Sequence, residues 1–144
     1  MNLPDVNVLF ARVCARHAHH LIADRWYRDS REKNERWALC RITHLALLRL
    51  LTNPIAMASE ALSAKAAWDV LDLLEADPLC RFQEEPASCW TEFKRMTTVA
   101  GFTHSGWTDA YLAAIAAASG SRIVTFDRRF RDWPQIRCLI LAPQ

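Results

Sequence analysis

The 144-residue sequence lacks the features of membrane, secreted and zinc-binding proteins. No apolar run approaches the ~18 residues of a membrane-spanning helix, and no basic-then-apolar signal segment opens the chain. The cysteines number five, an odd count, and no two of them form a CxxC pair, so neither a disulfide scaffold nor a zinc framework is indicated. We therefore expect a cytoplasmic protein, not bound to a membrane, whose thiols are reduced.

Lysine is also scarce, because 15 of the 18 basic side chains are arginine. The formal net charge is only +2, which excludes the strong overall basic field that holds many proteins on nucleic acid. Guanidinium groups pair bidentately with phosphate and stack on bases, so the arginine bias is compatible with a phosphate ligand. Arginine-rich surfaces arise for other reasons as well, and charge alone does not decide between these interpretations.

The order of the predicted elements indicates the fold class. No internal repeat, linker or low-complexity segment divides the chain, so residues 1–144 are treated as a single domain. Strands are predicted at 1–5, 37–42, 80–82, 122–126 and 137–141, and helices over 6–13, 19–36, 45–51, 63–75, 88–100 and 109–119. Short strands that alternate with helices favour an α/β fold, a mostly parallel sheet with helices on both faces.

Two threonines are predicted to cap helices. Thr43 is placed as the N-cap of the helix that runs to Leu51, and Thr108 as the N-cap of the helix that ends before Gly120. The first of these helices is almost uniformly apolar, more than one core-facing stripe requires. We therefore expect part of its surface to be buried in a partner or a dimer.

Three carboxylates stand out by their positions. Asp5 and Asp127 follow predicted strands and Asp109 opens a helix, and ligands of such folds collect at the carboxyl ends of the strands. Two unit charges 4 Å apart cost ~4 kcal/mol at an effective dielectric of 20, so a fold keeps such a cluster when a hard cation neutralises it. Oxygen ligands suit Mg²⁺, with Mn²⁺ as the alternative. Each acid alone could instead be a helix cap, a dipole partner or a turn residue.

The sequence around these acids resembles the VapC family of PIN-domain toxins. Three segments look like the signature segments of the family: Leu3–Phe10, Trp107–Ala114 and Ile123–Phe130. A further segment, Ile42–Pro54, resembles the one that comes second along the chain in the family. The matches follow the family's order and span almost the whole chain. Together they are specific, whereas any one of them alone would carry no weight.

The resemblance implies a three-layer α/β/α sandwich, a single PIN domain that cleaves RNA with Mg²⁺ or Mn²⁺. It also implies inhibition by a small cognate antitoxin, in a homodimer or a toxin–antitoxin hetero-oligomer. Carried over by position, Asp5, Asp109 and Asp127 are the catalytic, metal-binding acids. Asn7 and Thr125 match polar positions that support the site.

The second segment departs from the family pattern. The family usually has Glu directly after the residue that matches Thr43, and here that position is His44. We include both Thr43 and His44 among the supporting residues. His44 could bind a transition ion such as Mn²⁺, contact a phosphate, or leave the site weakened. The candidate phosphate contacts on RNA are Arg12, Arg49, Arg128 and Arg129.

Two rival functions have less support. A phosphohydrolase of the haloacid type also has an Asp at the end of its first strand, but it needs a second Asp two residues on, where this chain has Asn7. A catalytically weakened PIN domain, acting as an RNA- or partner-binding module, rests on His44. Trp107 could stack on a base beside Asp109, although packing within the domain is the favoured interpretation of that ring.

Overall fold

In the computed structural model, which describes residues 1–143, five parallel strands form one sheet in the order β3-β2-β1-β4-β5. The strands are β1 (Asn2–Pro4), β2 (Trp37–Leu39), β3 (Cys80–Phe82), β4 (Arg122–Thr125) and β5 (Arg137–Ile140). In register, Leu3 of β1 pairs with Ile123 of β4. The central pair β1–β4 therefore brings together the two strand ends from which Asp5 and Asp127 follow.

Helices cover both faces of this sheet. They are α1 (Val6–Val13), α2 (His20–Glu32), α3 (Arg41–Leu51), α4 (Pro54–Met57), α5 (Ala64–Glu75), α6 (Cys89–Thr97) and α7 (Trp107–Ser119). One buried cluster joins α1, α3 and α5 to the sheet around Leu47 and Val124, and a second joins α6 and α7 around Leu3 and Ile123. The α/β/α sandwich is confirmed. Within residues 1–143, no helix is long and apolar enough to cross a membrane.

Both predicted threonine caps are wrong by a few residues. The helix α3 begins at Arg41 with Cys40 as its N-cap, so Thr43 lies in the first turn. Its hydroxyl accepts from the Cys40 backbone N–H at 3.1 Å and donates to the Cys40 carbonyl at 2.9 Å, which shows that the side chain stabilises the helix start from inside. Similarly, α7 begins at Trp107 after Gly106, so Thr108 already lies in the helix.

The apolar helix α3 is mostly covered by its own domain. Leu47 and Leu51 are fully buried, and Leu48 and Leu50 pack partly against the same cluster. Leu45 is 62% exposed. The part of this helix that could be buried in a partner or a dimer is therefore the surface around Leu45.

Candidate active site

Asp5 forms the buried corner of the candidate site, directly after β1. It is the N-cap of α1, and its side chain accepts from the Val6 backbone N–H at 2.7 Å. Asp5 is buried, with 7% of its residue surface exposed. Burial raises the pKa of Asp5 to about 6, a hydrogen bond from Thr125 opposes this rise, and the charges of Asp109 and Asp127 add to it. An ionised Asp5 is therefore costly here unless a cation offsets it.

Thr125, the last residue of β4, connects three parts of the site. Its fully buried hydroxyl donates to Asp5 Oδ2 at 2.9 Å. The same oxygen accepts from the Asn7 side-chain amide at 3.1 Å and from the Asp127 backbone N–H at 3.0 Å. Asn7 also accepts from the Phe126 backbone N–H at 3.3 Å. These bonds fix the ends of the two central strands relative to one another.

Asp109 and Asp127 face Asp5 from other elements. Asp109 lies in the first turn of α7, where burial raises its pKa, Arg129 lowers it and Asp127 raises it. Asp127 follows β4 and caps the short 3-10 helix Arg128–Asp132. Each acid therefore lies at the start of a helix, as a cap or in the first turn. The charges of the three acids also raise the pKa values of Asp5 and Asp109. The fold has brought them to one end of the sheet.

Arg129 lies among these acids, which the sequence did not indicate. Its Nε donates to Asp127 Oδ2 at 2.9 Å, and its Nη2 lies 3.6 Å from Asp109 Oδ2. The hydrogen bond from Arg129 is the main reason why the pKa of Asp127 is lowered. The guanidinium is 67% exposed, so it covers the site from the solvent side. The feature that could have indicated this pairing is the position of Arg129, two residues after the strand-end acid Asp127.

The donor chemistry of this cluster fits a hard divalent cation. All three candidate ligands are carboxylates, and the buried one is held against the charges of the other two. The spacing is more open than in a formed metal cage: across residues 1–143, no three His, Cys, Asp or Glu side chains are close enough together to hold an ion. Arg129 supplies the positive charge among them in this structure.

His44 is directed toward other neighbours. Its ring stacks on Phe82 with centroids 5.5 Å apart, and its Nε2 lies 3.1 Å from Glu75 Oε1. The other ring nitrogen, Nδ1, lies 3.1 Å from the Arg41 guanidinium. Burial lowers the pKa of His44, Glu75 opposes that shift and Arg41 adds to it, so the neutral form of the ring is favoured. Thr43 is likewise engaged at the start of α3 rather than with the three acids.

The four candidate arginines fall into two groups. Arg12 on α1 lies 3.3 Å from Asp24, and its guanidinium stacks 4.5 Å above the Tyr27 ring. Arg49 is exposed on α3. Arg128 and Arg129 follow Asp127 directly and are exposed. Of these two, Arg129 contacts the acids.

Residues 3–135 match the model of one protein family, the PIN domain. Among curated proteins, the chain is 31% identical over 146 residues to Ribonuclease VapC41 of Mycobacterium tuberculosis, with 99% of each chain covered. It is 32% identical to Ribonuclease VapC38 of the same species, over 88% of this chain and 85% of that one.

Solved structures agree in fold. A VapC20 toxin from Mycobacterium tuberculosis, described as cleaving the sarcin–ricin loop, has a TM-score of 0.70 at 16% identity, covering 95% of this chain and 99% of that one. VapBC2 from Rickettsia felis, solved bound to a DNA fragment from its promoter, has a TM-score of 0.71 at 15% identity, with 98% of each chain covered.

Proposed function

As the chain belongs to the VapC ribonucleases of the PIN-domain family, we propose that this endoribonuclease toxin hydrolyses RNA at the acid cluster with bound Mg²⁺ or Mn²⁺. The observation that supports the proposal most strongly is the buried Asp5, whose pKa is raised to about 6 by burial and, in smaller part, by the facing acids Asp109 and Asp127. Three carboxylates in such a position favour a cation, and perturbed pKa values are typical of functional sites.

The residues of the proposed site have different roles. Asp5, Asp109 and Asp127 would hold the ion, and Thr125 orients Asp5 through the hydrogen bond from its hydroxyl. Asn7 supports Thr125 in turn. When bound, a divalent cation supplies positive charge against the phosphate and a water of lowered pKa. Thr43 and His44 are not ligands of the ion, because both side chains contact other residues.

The substrate is single-stranded or loop RNA, whose exposed backbone can enter an open acidic site. Arg128 and Arg129 are placed to contact phosphates beside the scissile bond, since both are exposed directly after Asp127. Arg49 could contact a more distant phosphate from α3. Arg12 is a weaker candidate, because its side chain is only 31% exposed and packs on Asp24 and Tyr27, whereas the side chain of Arg129 is 67% exposed.

The partner is a small cognate antitoxin, and the assembly is a homodimer or a toxin–antitoxin hetero-oligomer. Structures of VapBC complexes share this fold, and the exposed Leu45 offers apolar surface for such a contact. Expression of the chain should arrest growth, and co-expression of the neighbouring short gene should relieve the arrest. Arrest that no neighbouring gene relieves would contradict the pairing.

Cleavage by the purified chain tests the proposed function. We expect a single-stranded RNA to be cut with Mn²⁺ or Mg²⁺ and to stay intact with EDTA. The rival, a catalytically weakened PIN domain, predicts that the RNA is bound and remains intact even with Mn²⁺. Intact RNA after prolonged incubation of folded protein with either metal would favour this rival.

Removing the charge of Arg129 should tighten metal binding. Its guanidinium competes with the ion for Asp109 and Asp127, and a largely exposed pair of this kind is worth ~0.2–1 kcal/mol. We therefore expect Arg129→Gln to lower the dissociation constant for Mn²⁺ by a factor of about 1.4 to 5, measured by isothermal titration calorimetry.

Arg128→Gln is the matched control. It makes the same change in net charge one residue away, and Arg128 is exposed in the same 3-10 helix. Equal tightening in both variants would mean that overall charge, rather than occupation of the acid cluster by Arg129, determines the affinity.

A further inference from the structure

Two exposed tryptophans lie on α6 and α7, the second of which carries Asp109. Trp107 is 52% exposed and Trp90 is 64% exposed. Phe93 lies between them, with its ring centroid 5.4 Å from Trp90 and 5.7 Å from Trp107. We call these three rings, Trp90, Phe93 and Trp107, the aromatic platform. Large apolar side chains left in water in a group mark a surface that binds something.

The platform is connected to the acid cluster through Phe102. Trp107 precedes Asp109 by two residues in the first turn of α7. On its other side, Trp107 packs edge-on against Phe102 at 4.8 Å, and Phe102 lines a cavity of about 540 Å³. Asp109 and Arg129 line the same cavity. Its volume is within the ~300–1,000 Å³ typical of sites for small organic groups.

We propose that the aromatic platform binds bases of single-stranded RNA by stacking, beside the phosphate that is cut. This inference rests on the proposed function. Every base has a π face, so aromatic side chains bind single strands with little sequence preference. Lys94 is exposed one helical turn after Trp90 and adds a positive charge for the phosphate backbone of the RNA. A duplex keeps its bases stacked inside, and the platform therefore favours loops and unpaired strands.

A protein partner is the other class of occupant for these rings. The position of the platform favours RNA, because Trp107 and Asp109 share one helix turn and because Phe102, against which Trp107 packs, lines the same cavity as Asp109 and Arg129. A protein partner would need no such continuity.

Binding to a non-cleaving variant tests the platform. In the Asp5→Asn background, Trp107→Ala should weaken binding of a single-stranded RNA oligonucleotide about fivefold to 150-fold, measured by fluorescence anisotropy. Trp107→Phe should retain most of the affinity, because it keeps a ring. Trp107→Leu should lose it, although it keeps apolar volume. Binding of an RNA duplex should not change in any of them.

Trp68→Ala is the matched control, since Trp68 is 51% exposed but lies on α5. It should leave RNA binding unchanged. Unchanged RNA affinity in folded Trp107→Ala, or equal affinities for Trp107→Leu and Trp107→Phe, would overturn the inference. Loss of antitoxin binding with intact RNA binding would assign the platform to a protein partner. Cleavage by the parent chain is measured separately, so a failure here is distinct from a failure of the proposed function.

Discussion

Asp5→Asn should abolish RNA cleavage and at the same time make the metal-free protein more stable. Activity should fall by at least about 100-fold, because the buried ligand and its charge are lost. The stability change follows from the raised pKa of Asp5, about 6 in the folded protein against 3.8 for the free side chain. In that case ionisation favours unfolding, and the folded state loses stability as the pH rises from about 4 through 6.

A shift of this size corresponds to ~3 kcal/mol lost by the metal-free parent above the folded pKa. The Asp5→Asn variant escapes that loss and gives up about 1 kcal/mol of hydrogen bonding, since its amide group cannot accept from both Val6 and Thr125. We expect a net gain of ~1–2 kcal/mol at pH 7.5 in EDTA, measured by urea unfolding, and none at pH 4.

Asp127→Asn is the control that separates the two effects. It should also abolish cleavage, but the pKa of Asp127 is lowered by its hydrogen bond from Arg129, so its charge is favourable in the fold. Its replacement should therefore leave metal-free stability unchanged or slightly lower. Full cleavage by either variant would remove that residue from the site. A stability loss for Asp5→Asn at pH 7.5 would contradict the account of its burial.

Thr125→Val should give the second-largest effect, because it removes the hydroxyl that joins both central strand ends. Asp5 loses a donor, and the Asp127 backbone N–H loses its acceptor. A buried polar group left without a partner costs ~1–3 kcal/mol, and loss of such a supporting contact typically lowers activity or metal affinity ~10- to 100-fold.

A positioning role for Thr125 also predicts a change in the pH profile. Without the hydrogen bond that lowers it, the pKa of Asp5 should rise further, so the acidic limb of the cleavage profile should move to higher pH. Thr125→Ser should restore both activity and profile. Thr43→Val, which removes an equally buried hydroxyl at the start of α3, should cost stability without moving the profile. An unshifted profile for Thr125→Val would reduce its role to stability.

The sequence was sufficient to predict the five strands, the helices other than α4, and the placement of the three acids at the ends of these elements. Strand-end acids and alternating elements are local signals, and parallel pairing of β1 with β4 then brings Asp5 and Asp127 together. Helix starts were less predictable, because Cys40 is not a typical N-cap and Thr43 stabilises the helix from its first turn instead. The start of α3 at Arg41 depends on the Thr43 side chain, which accepts a hydrogen bond from the backbone N–H of the N-cap Cys40.

The tertiary contacts and the exposure of individual side chains could not be predicted from the sequence. His44 occupies the position where the family usually has a fourth acid. Its ring nevertheless packs on Phe82 and lies beside Glu75, a residue 31 positions further along the chain than His44. Arg129 was predicted to contact RNA and in the fold pairs with Asp127 and Asp109. The exposure of Trp107 was also not evident, since an aromatic residue in a helix more often packs inside.

The ends of the RNA products test the central claim most directly. In the proposed reaction, a water at the acid cluster would attack the phosphorus and break its bond to the 3′-oxygen, which leaves a 5′-phosphate and a 3′-hydroxyl, as the family resemblance implies. We expect those ends from the parent chain with Mn²⁺ or Mg²⁺, no products in EDTA, and continued cleavage of a substrate whose scissile nucleotide lacks its 2′-hydroxyl. A 2′,3′-cyclic phosphate formed in EDTA would mean that the 2′-hydroxyl is the nucleophile, and would contradict hydrolysis by metal at Asp5, Asp109 and Asp127.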